Sequence, residues 1–263
     1  MVKKPNIEIR EYSAKELEAR ALKKKDAIKN LSSNIRKLRS KVNEDLKSDN
    51  EKDFLTALAI YTMLETSERV GNGTSAENGH FGVTGFTKKH VKPSRSSVEF
   101  NYKGKSGVDH EKKINNLKLS SGLSKAIDNS PSDRVFTTSD GFNIKNDRIN
   151  RYLSRYGIKA KDIRGYSANK WIVSKLKRLT PEEDEKKRKT QFNKVVKEVA
   201  AKVGHGGATL KKHYMIPELQ SNWIDKGKVI DLEHFKIEQG GVMAEGGTVQ
   251  GSYFDGELSF LNW

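Results

Sequence analysis

The sequence predicts a mainly α-helical protein of the α+β class with one small β-hairpin region. Three observations lead to this fold class. Apolar residues recur every three or four positions over long stretches, they alternate over one stretch, and glycine or proline occurs where these stretches end. With 263 residues, the chain is long enough to bury a sizeable core.

Residues 14–46 predict the first helix. Its apolar positions are Ile28, Leu31, Ile35, Leu38, Val42 and Leu46. Lysine and arginine lie between them, so we expect one buried seam and a basic outer face. A second helix is predicted from Asp53, a suitable N-cap, to the break at Gly71 and Gly73. Its core-facing residues would be Phe54, Leu55, Leu58, Tyr61 and Leu64.

A β-hairpin is predicted in the middle of the chain. Val98, Phe100 and Tyr102 alternate with polar residues, as in a strand with one buried face. The turn sequence KGKSG follows and connects this strand to the next. A polar loop region is then expected around DNSPSDRVFTTSDG, followed by helices at residues 145–155 and 162–179.

The segment TPEEDE predicts the start of another helix. Thr180 would be the N-cap, Pro181 the first helical residue, and Glu183 the partner of Thr180 in a capping box. This helix would end at Gly204, because glycine is the preferred residue just beyond a helix C-terminus.

The charge balance indicates a nucleic-acid partner. Lysine and arginine number 50 against 34 acidic residues, which gives a formal net charge of +16. Duplex DNA carries about one negative charge per 1.7 Å of its axis, so it is the partner that we expect. A basic protein without such a partner is the alternative.

The composition also excludes several kinds of chemistry. The chain has no cysteine, which rules out disulfides, thiolate catalysis and zinc ribbons. No apolar run approaches the roughly 20 residues of a membrane-spanning helix. The N-terminal segment MVKKPNIEIREY lacks the apolar centre of a secretory signal. We therefore expect a cytoplasmic or nucleoid-associated protein that is neither secreted nor bound to a membrane.

Five reactive side chains together suit phosphoryl transfer to a tyrosine: Arg69, Lys105, Arg164, His205 and Tyr214. A phosphodiester under attack gains negative charge on its oxygens, which preorganised cations and donors stabilise. Arginine binds non-bridging oxygens, and a lysine near the leaving oxygen can supply a proton. A phenol, with a reference pKa of about 10, becomes a good nucleophile where its charge is stabilised. No spacing typical of metal ligands occurs, so no metal or other cofactor is expected.

Five segments around these residues are ALAIYTMLETSERVGN, NGHFGVTGFTKKHV, FNYKGKSGVDH, KDIRGYSAN and VGHGGATLKKHY. Together they resemble type IB DNA topoisomerases, in particular the compact poxviral and bacterial members. In that family the first arginine lies in R-[IV]-G-N, here residues 69–72, and the second follows K-D-x, here residues 161–164. The family's histidine and tyrosine are nine residues apart, as are His205 and Tyr214.

The family's lysine lies in F-x-x-G-K and is followed by a histidine five residues further on. Lys105 and His110 match this pattern, with one additional residue between Phe100 and Gly104. The likeness extends from about residue 34 to Tyr214 and includes all five reactive positions in the family's order.

The resemblance implies the helical catalytic domain of the type IB topoisomerase and tyrosine recombinase superfamily. Tyr214 would attack DNA and form a 3′-phosphotyrosyl link, while Arg69, Arg164 and His205 would stabilise the transition state. Lys105 would be the general acid for the departing 5′ hydroxyl. Rotation of the free end and resealing would relax supercoils without ATP, and we expect a monomer.

Two alternatives remain open from the sequence. A tyrosine site-specific recombinase or integrase uses the same nucleophile, but recombinases usually carry His-x-x-Arg where this chain has Lys161-x-x-Arg164. A non-catalytic DNA-binding protein is the other alternative, and the complete set of five reactive residues argues against it.

The sequence predicts three parts: a basic helical N-terminal arm at residues 1–33, the catalytic domain at 34–218, and an acidic, glycine-rich tail at 219–263. The segment QGGVMAEGGTVQG indicates a flexible linker in the tail. The N-terminal β domain with which the family closes over DNA is not evident. Gly206 and Gly207 replace the family's threonine after the histidine and predict mobility in the segment that carries Tyr214.

Overall fold

The computed structural model describes residues 12–104, 107–232 and the backbone of residues 237–239. Within these ranges, nine α-helices accompany one three-stranded and one two-stranded antiparallel sheet. The predicted mainly helical α+β class is therefore confirmed. Nearly all of the predicted linker QGGVMAEGGTVQG, from residue 240 onward, lies outside the described residues.

Helix α1 (Ala14–Asp45) confirms the first predicted helix. Ser13 is its N-cap in a capping box with Glu16, whose carboxylate accepts from the Ser13 amide at 2.9 Å. The buried seam contains Ile28, Leu31, Ile35, Leu38 and Val42, as predicted. No residue of α1 before Ile28 is buried, so the first part of the helix lies at the surface.

Helix α2 (Glu51–Thr66) passes through the core, and every residue from Phe54 to Thr66 is buried. The predicted N-cap, Asp53, is wrong. Asn50 caps the helix and accepts from the amides of Lys52 and Asp53 at 3.0 and 3.2 Å. Asp53 lies in the first turn instead, where its carboxylate interacts favourably with the positive end of the helix dipole.

The predicted hairpin is confirmed as part of a sheet with the order β1 (Val91–Pro93), β2 (Ser97–Lys103) and β3 (Asp109–Asn115). Tyr102 on β2 lies opposite His110 on β3. Val98, Phe100 and Tyr102 are buried, as their alternation predicts. Helix α4 (Leu117–Asn129), which the sequence analysis does not predict, packs against β1 and β2.

The remaining elements follow in chain order. A short helix, α3 (Gly73–Glu77), lies between α2 and the sheet. Helices α5 (Asn146–Ser154) and α6 (Ala160–Lys177) confirm the helices predicted at 145–155 and 162–179. They are followed by α7 (Glu185–Lys202), α8 (Gly207–His213), α9 (Pro217–Lys226), and the paired strands β4 (Lys228–Ile230) and β5 (Ile237–Gln239).

The predicted start of α7 at Thr180 is wrong. The N-cap is Asp184, whose side chain accepts from the Lys187 amide at 2.8 Å. Arg188 binds the carbonyls of Glu182 and Glu183 at 2.8 and 2.6 Å, so these carbonyls do not begin a helical ladder. A tertiary contact of Arg188 with the Ile224 carbonyl at 2.6 Å holds this arrangement against α9.

The division at residues 1–33, 34–218 and 219–263 remains a prediction. Helix α1 continues without a break across residues 33 and 34. Beyond residue 218, α9 packs against α7 and contributes Trp223, which is fully buried.

Candidate active site

Arg69 is held by a close approach of two backbone segments after α2. Helix α2 ends at Ser67 in the left-handed conformation, with φ 57°. The Val83 amide then donates to the Arg69 carbonyl at 2.8 Å. A Cβ atom on Gly82 would lie 2.7 Å from that carbonyl oxygen, so only glycine fits opposite Arg69.

Arg164 lies in the first part of α6 and is buried, with 3% of its surface exposed. Its Nη2 donates to the Val203 carbonyl at the end of α7. Its Nε has no hydrogen-bond partner among the described residues. Burial lowers the pKa of Arg164, and the nearby Glu68 carboxylate opposes this effect. The guanidinium therefore retains a buried donor that no described group satisfies.

His205 follows the end of α7, where Gly204 has a φ of +68°. The amides of Gly204 and His205 donate to the carbonyls of Ala201 and Ala200 at 3.0 and 2.8 Å, the pattern of a Schellman motif. The predicted C-terminal cap at Gly204 is confirmed. The motif turns the chain directly after α7, so that His205 points its ring toward Arg69.

Arg69 and His205 are joined by a hydrogen bond of 3.1 Å between Nη2 and Nε2. Because a guanidinium only donates, Nε2 accepts, and the proton of the neutral imidazole lies on Nδ1. Burial, Arg164 and Arg69 lower the pKa of His205 from 6.5 to about 4. The imidazole is therefore neutral at pH 7.

Tyr214 lies at the C-cap of α8, and its ring stacks on the His205 ring with centroids 5.1 Å apart. The Arg164 Cζ atom is 6.0 Å from the tyrosine ring centroid. The structure thus brings together four of the five predicted residues: Arg69, Arg164, His205 and Tyr214. Gly206 is the N-cap of α8 and Gly207 its first residue, so the segment before Tyr214 is helical.

Lys105, the fifth predicted residue, lies outside the described residues. The hairpin that carries it reaches the site, since Val108 and Asp109 line the same groove as Tyr214.

Asn169 fixes the backbone around Tyr214. It is fully buried on α6, and its Nδ2 donates to the Tyr214 carbonyl at 2.8 Å. Its Oδ1 accepts from the Ile216 amide at 2.9 Å. One side chain therefore satisfies backbone groups on both sides of Met215, which constrains the path of the chain after the tyrosine.

A buried group of charges lies behind the site. Glu68 pairs with Lys112, and its Oε1 is 3.6 Å from His110 Nδ1. Burial raises the pKa of the Glu68 carboxyl, but Lys112, His110 and Arg164 outweigh it and hold the pKa well below its usual range. The ionised carboxylate is thus placed to balance the charge of the buried Arg164.

These residues open onto a groove of about 1810 Å³. Its cationic lining residues are Arg20, Lys23, Lys24, Arg69, Lys159, Lys161, Arg164 and Lys212. Among the described lining residues, the only carboxylates are those of Glu68, Asp109 and Asp162. Helix α1 forms part of the wall, so its basic face lies beside the site. The excess of cations favours a polyanion in the groove.

Several residues of the site are not predicted by the sequence analysis. Asn169 lies in the segment KDIRGYSAN, four residues after Gly165, whose carbonyl it also binds at 2.7 Å. Gly165 follows Arg164 directly, so the four-residue spacing places Asn169 about one helical turn beyond the neighbour of the second arginine. This spacing is the sequence signal that points to Asn169. Lys24 offers none, because it is one lysine among many in α1 and its partners are 188 and 191 residues away.

No helix in the described part of the chain is both long and apolar enough to span a membrane. Over the same residues, no group of three or more His, Cys, Asp or Glu side chains is arranged to hold a metal ion.

A buried arginine, a second arginine, a histidine and a tyrosine on a basic groove define a site suited to phosphoryl transfer. The family model for the catalytic core of eukaryotic DNA topoisomerase I matches residues 13–230. The chain therefore belongs to the DNA topoisomerase I catalytic-core family, as its sequence segments predict.

A relative with a similar sequence is the DNA topoisomerase 1B of Acanthamoeba polyphaga mimivirus, 31% identical over 182 residues. The match covers 63% of this chain and 53% of that protein, so the chain spans about half the length of this relative.

Two solved structures of the XerH site-specific recombinase are also similar. The pre-cleavage complex with difH substrate is 12% identical, with a TM-score of 0.45 over 70% of this chain and 49% of the recombinase chain. The post-cleavage complex with palindromic difH is 13% identical, with a TM-score of 0.48 over 82% and 51%.

Proposed function

We propose that this chain is a type IB DNA topoisomerase that binds duplex DNA in the basic groove and relaxes supercoils through transient cleavage by Tyr214. The observation that carries the proposal is the stack of Tyr214 on His205, with Arg69 bonded to the same histidine and Arg164 beside the tyrosine ring. Membership of the topoisomerase I catalytic-core family supports it.

The reaction conserves the number of phosphodiester bonds. The Tyr214 oxygen attacks a DNA phosphorus, a 3′-phosphotyrosyl bond forms, and the bond from phosphorus to the 5′ oxygen breaks. The phenol loses a proton, and the 5′ oxygen gains one. In the reverse step the 5′ hydroxyl attacks the phosphotyrosine and restores the strand. Because the phosphotyrosyl ester conserves the free energy of the broken phosphodiester bond, neither ATP nor another energy source is required.

The cations stabilise the charge that develops on the non-bridging oxygens. Arg164 has a buried Nε without a partner among the described residues, and phosphate oxygens bind such donors strongly. The Arg69 fork is partly exposed to the groove and keeps donors beyond the one that binds His205. Since both arginines are held before DNA arrives, little reorganisation is required during the reaction.

His205 supplies a neutral donor. With Nε2 accepting from Arg69, the Nδ1 hydrogen has no acceptor within the described ranges and can bind a phosphate oxygen. The two neighbouring arginines oppose a third positive charge at this place, which agrees with the lowered pKa of about 4.

Lys105 is the proposed general acid for the 5′ oxygen. Its hairpin adjoins the groove at Val108 and Asp109, which supports a position near the scissile bond. An ammonium group is a suitable acid here because the leaving alkoxide is strongly basic.

The test is relaxation of supercoiled plasmid with EDTA and without ATP, comparing the intact chain with Tyr214→Phe. We expect relaxation by the intact chain only. If neither protein relaxes DNA while both bind it, the chain is a non-catalytic DNA-binding protein. Equal activity of both would remove Tyr214 as the nucleophile.

A second measurement identifies the covalent link and the class of reaction. After denaturation in SDS, a strand labelled at its 5′ end should remain attached to the protein, because a 3′-phosphotyrosyl bond retains that fragment. Relaxation of plasmids without a shared site is expected. Strand exchange at one defined site would instead support a tyrosine recombinase. A mass of one 29.7 kDa chain by light scattering would support the proposed monomer.

A further inference from the structure

Helix α1 contacts the segment that carries Tyr214 through the side chain of Lys24. The Lys24 Nζ atom donates to the Lys212 carbonyl at 3.2 Å and to the Met215 carbonyl at 3.0 Å. These two carbonyls flank Tyr214 in the chain. Lys24 is half-buried and also lies at the edge of the groove.

The end of α8 is a place where such a donor stabilises the backbone. The last carbonyls of a helix have no partners within the helix, and a cation near them complements the negative end of the helix dipole. Lys212 belongs to the last turn of α8. Burial, followed by the charge of Arg20, lowers the pKa of Lys24, which agrees with an ammonium group packed into this contact.

Two elements therefore hold the tyrosine segment from different directions. Asn169 of α6 binds the Tyr214 carbonyl and the Ile216 amide. Lys24 of α1 binds the carbonyls on either side of the same tyrosine. Neither contact involves the phenol itself, so both act on the backbone that sets the direction of the Tyr214 side chain.

We propose that Lys24 is a positioning residue that ties α1 to the Tyr214 segment and thereby orients the nucleophile for strand cleavage. The inference rests on the proposed function. Helix α1 also contributes Arg20 and Lys23 to the groove wall, so the same helix lines the groove and supports the tyrosine.

Lys25 provides a matched control. It lies next to Lys24 on α1 and pairs with Glu218 of α9 at 2.8 Å, but it does not contact the backbone around Tyr214 and is not among the groove residues. Lys25→Met and Lys24→Met remove the same charge from the same helix. They differ in whether the carbonyls of Lys212 and Met215 lose their donor.

The first measurement is the single-turnover rate of covalent cleavage at saturating duplex DNA, with the DNA dissociation constant determined separately. Lys24→Met is expected to slow cleavage of bound DNA about tenfold or more, because two hydrogen bonds are lost. Lys25→Met should stay within about twofold of the unmodified chain, and Lys24→Arg, which retains donors, should recover most of the rate. If Lys24→Met cleaves at the normal rate, or if both methionine variants are slowed equally, the inference is wrong.

The second measurement does not depend on activity. Amide hydrogen exchange over residues 207–216 should become faster in Lys24→Met but not in Lys25→Met. Unchanged exchange in a folded Lys24→Met protein would overturn the inference, and Lys24→Gln serves for the same comparison if the methionine variant does not fold. Failure of the unmodified chain to cleave DNA would refute the proposed function instead, so the two failures are distinct.

Discussion

Gly204 is the residue on which the position of His205 depends most directly. Replacement by alanine has two costs. The φ of +68° is unfavourable for any residue with a Cβ atom, by about 1–2 kcal/mol. The new Cβ would also lie 2.3 Å from Cε1 of His110, so the imidazole has to move.

His110 has little room for such a movement. It is buried, stacks on Tyr102 with ring centroids 4.9 Å apart, and lies beside the Glu68 carboxylate. On its other side, a Cβ on Gly104 would lie 2.5 Å from Nε2, so the ring is confined between two glycines. Forcing extra volume into a packed site costs about 1–3 kcal/mol. The sum for Gly204→Ala is therefore about 2–5 kcal/mol of unfolding free energy.

Gly141→Ala separates the two costs. Gly141 also has a positive φ, +86°, but nothing lies within 4 Å of a Cβ built there. Urea unfolding of the two variants should show a loss of about 1–2 kcal/mol for Gly141→Ala and a larger loss for Gly204→Ala. Cleavage of DNA should fall only in Gly204→Ala, because His205 follows the altered turn. Equal losses of stability in the two variants would refute the packing argument around His110.

Three further predictions follow from contacts of the site. Asn169→Leu leaves the Tyr214 carbonyl and the Ile216 amide without partners, so the free energy of unfolding should fall by about 2–4 kcal/mol and DNA cleavage should slow. Urea unfolding and single-turnover cleavage measure these two effects. A variant with full stability and full activity would contradict the prediction. Lys23→Ala removes one exposed cation from the groove. If Lys23 binds a phosphate, the magnitude of the slope of log affinity against log salt concentration should decrease by about 0.9. DNA titrations at several salt concentrations measure this slope, and an unchanged slope would place Lys23 away from DNA. The folded chain binds a proton at His205 only near pH 4, whereas the unfolded chain does so near 6.5, so stability should fall as the pH drops through this window. Because the ring is partly exposed, the loss should be about 1–2 kcal/mol, and it should be absent in His205→Gln; identical pH profiles of the two proteins would argue against a lowered pKa.

Local sequence patterns predict the elements whose conformation depends on residues that are neighbours in the sequence. The seam from Ile28 to Val42 predicts α1, and the alternation at Val98, Phe100 and Tyr102 predicts β2. Gly204 predicts the end of α7, because a left-handed residue after a helix is most readily glycine. Each of these features is determined by the chemistry of side chains that lie close together in the sequence.

Local patterns failed where a distant partner takes the backbone groups. The capping-box pattern at Thr180 is a reasonable helix start by itself, yet Arg188 binds the carbonyls of residues 182–183 and α7 begins only at Glu185. The same arginine donates to the Ile224 carbonyl of α9, a partner that is distant in the sequence. The wrong cap at the start of α2 has a local cause instead, because asparagine and aspartate both cap helices well and Asn50, not Asp53, accepts from the first amides.

The sequence by itself determined the mainly helical class and the family, and it predicts five reactive residues by their type and order along the chain. The tertiary structure decided how four of them meet: the hydrogen bond between Arg69 and His205, the stack of His205 on Tyr214, and the burial of Arg164. It also decided which residues support them, since Asn169 and Lys24 act through backbone groups that the sequence does not distinguish from any others. Hydrogen bonds to carbonyls and amides carry no signature of residue type, so only the folded arrangement reveals them.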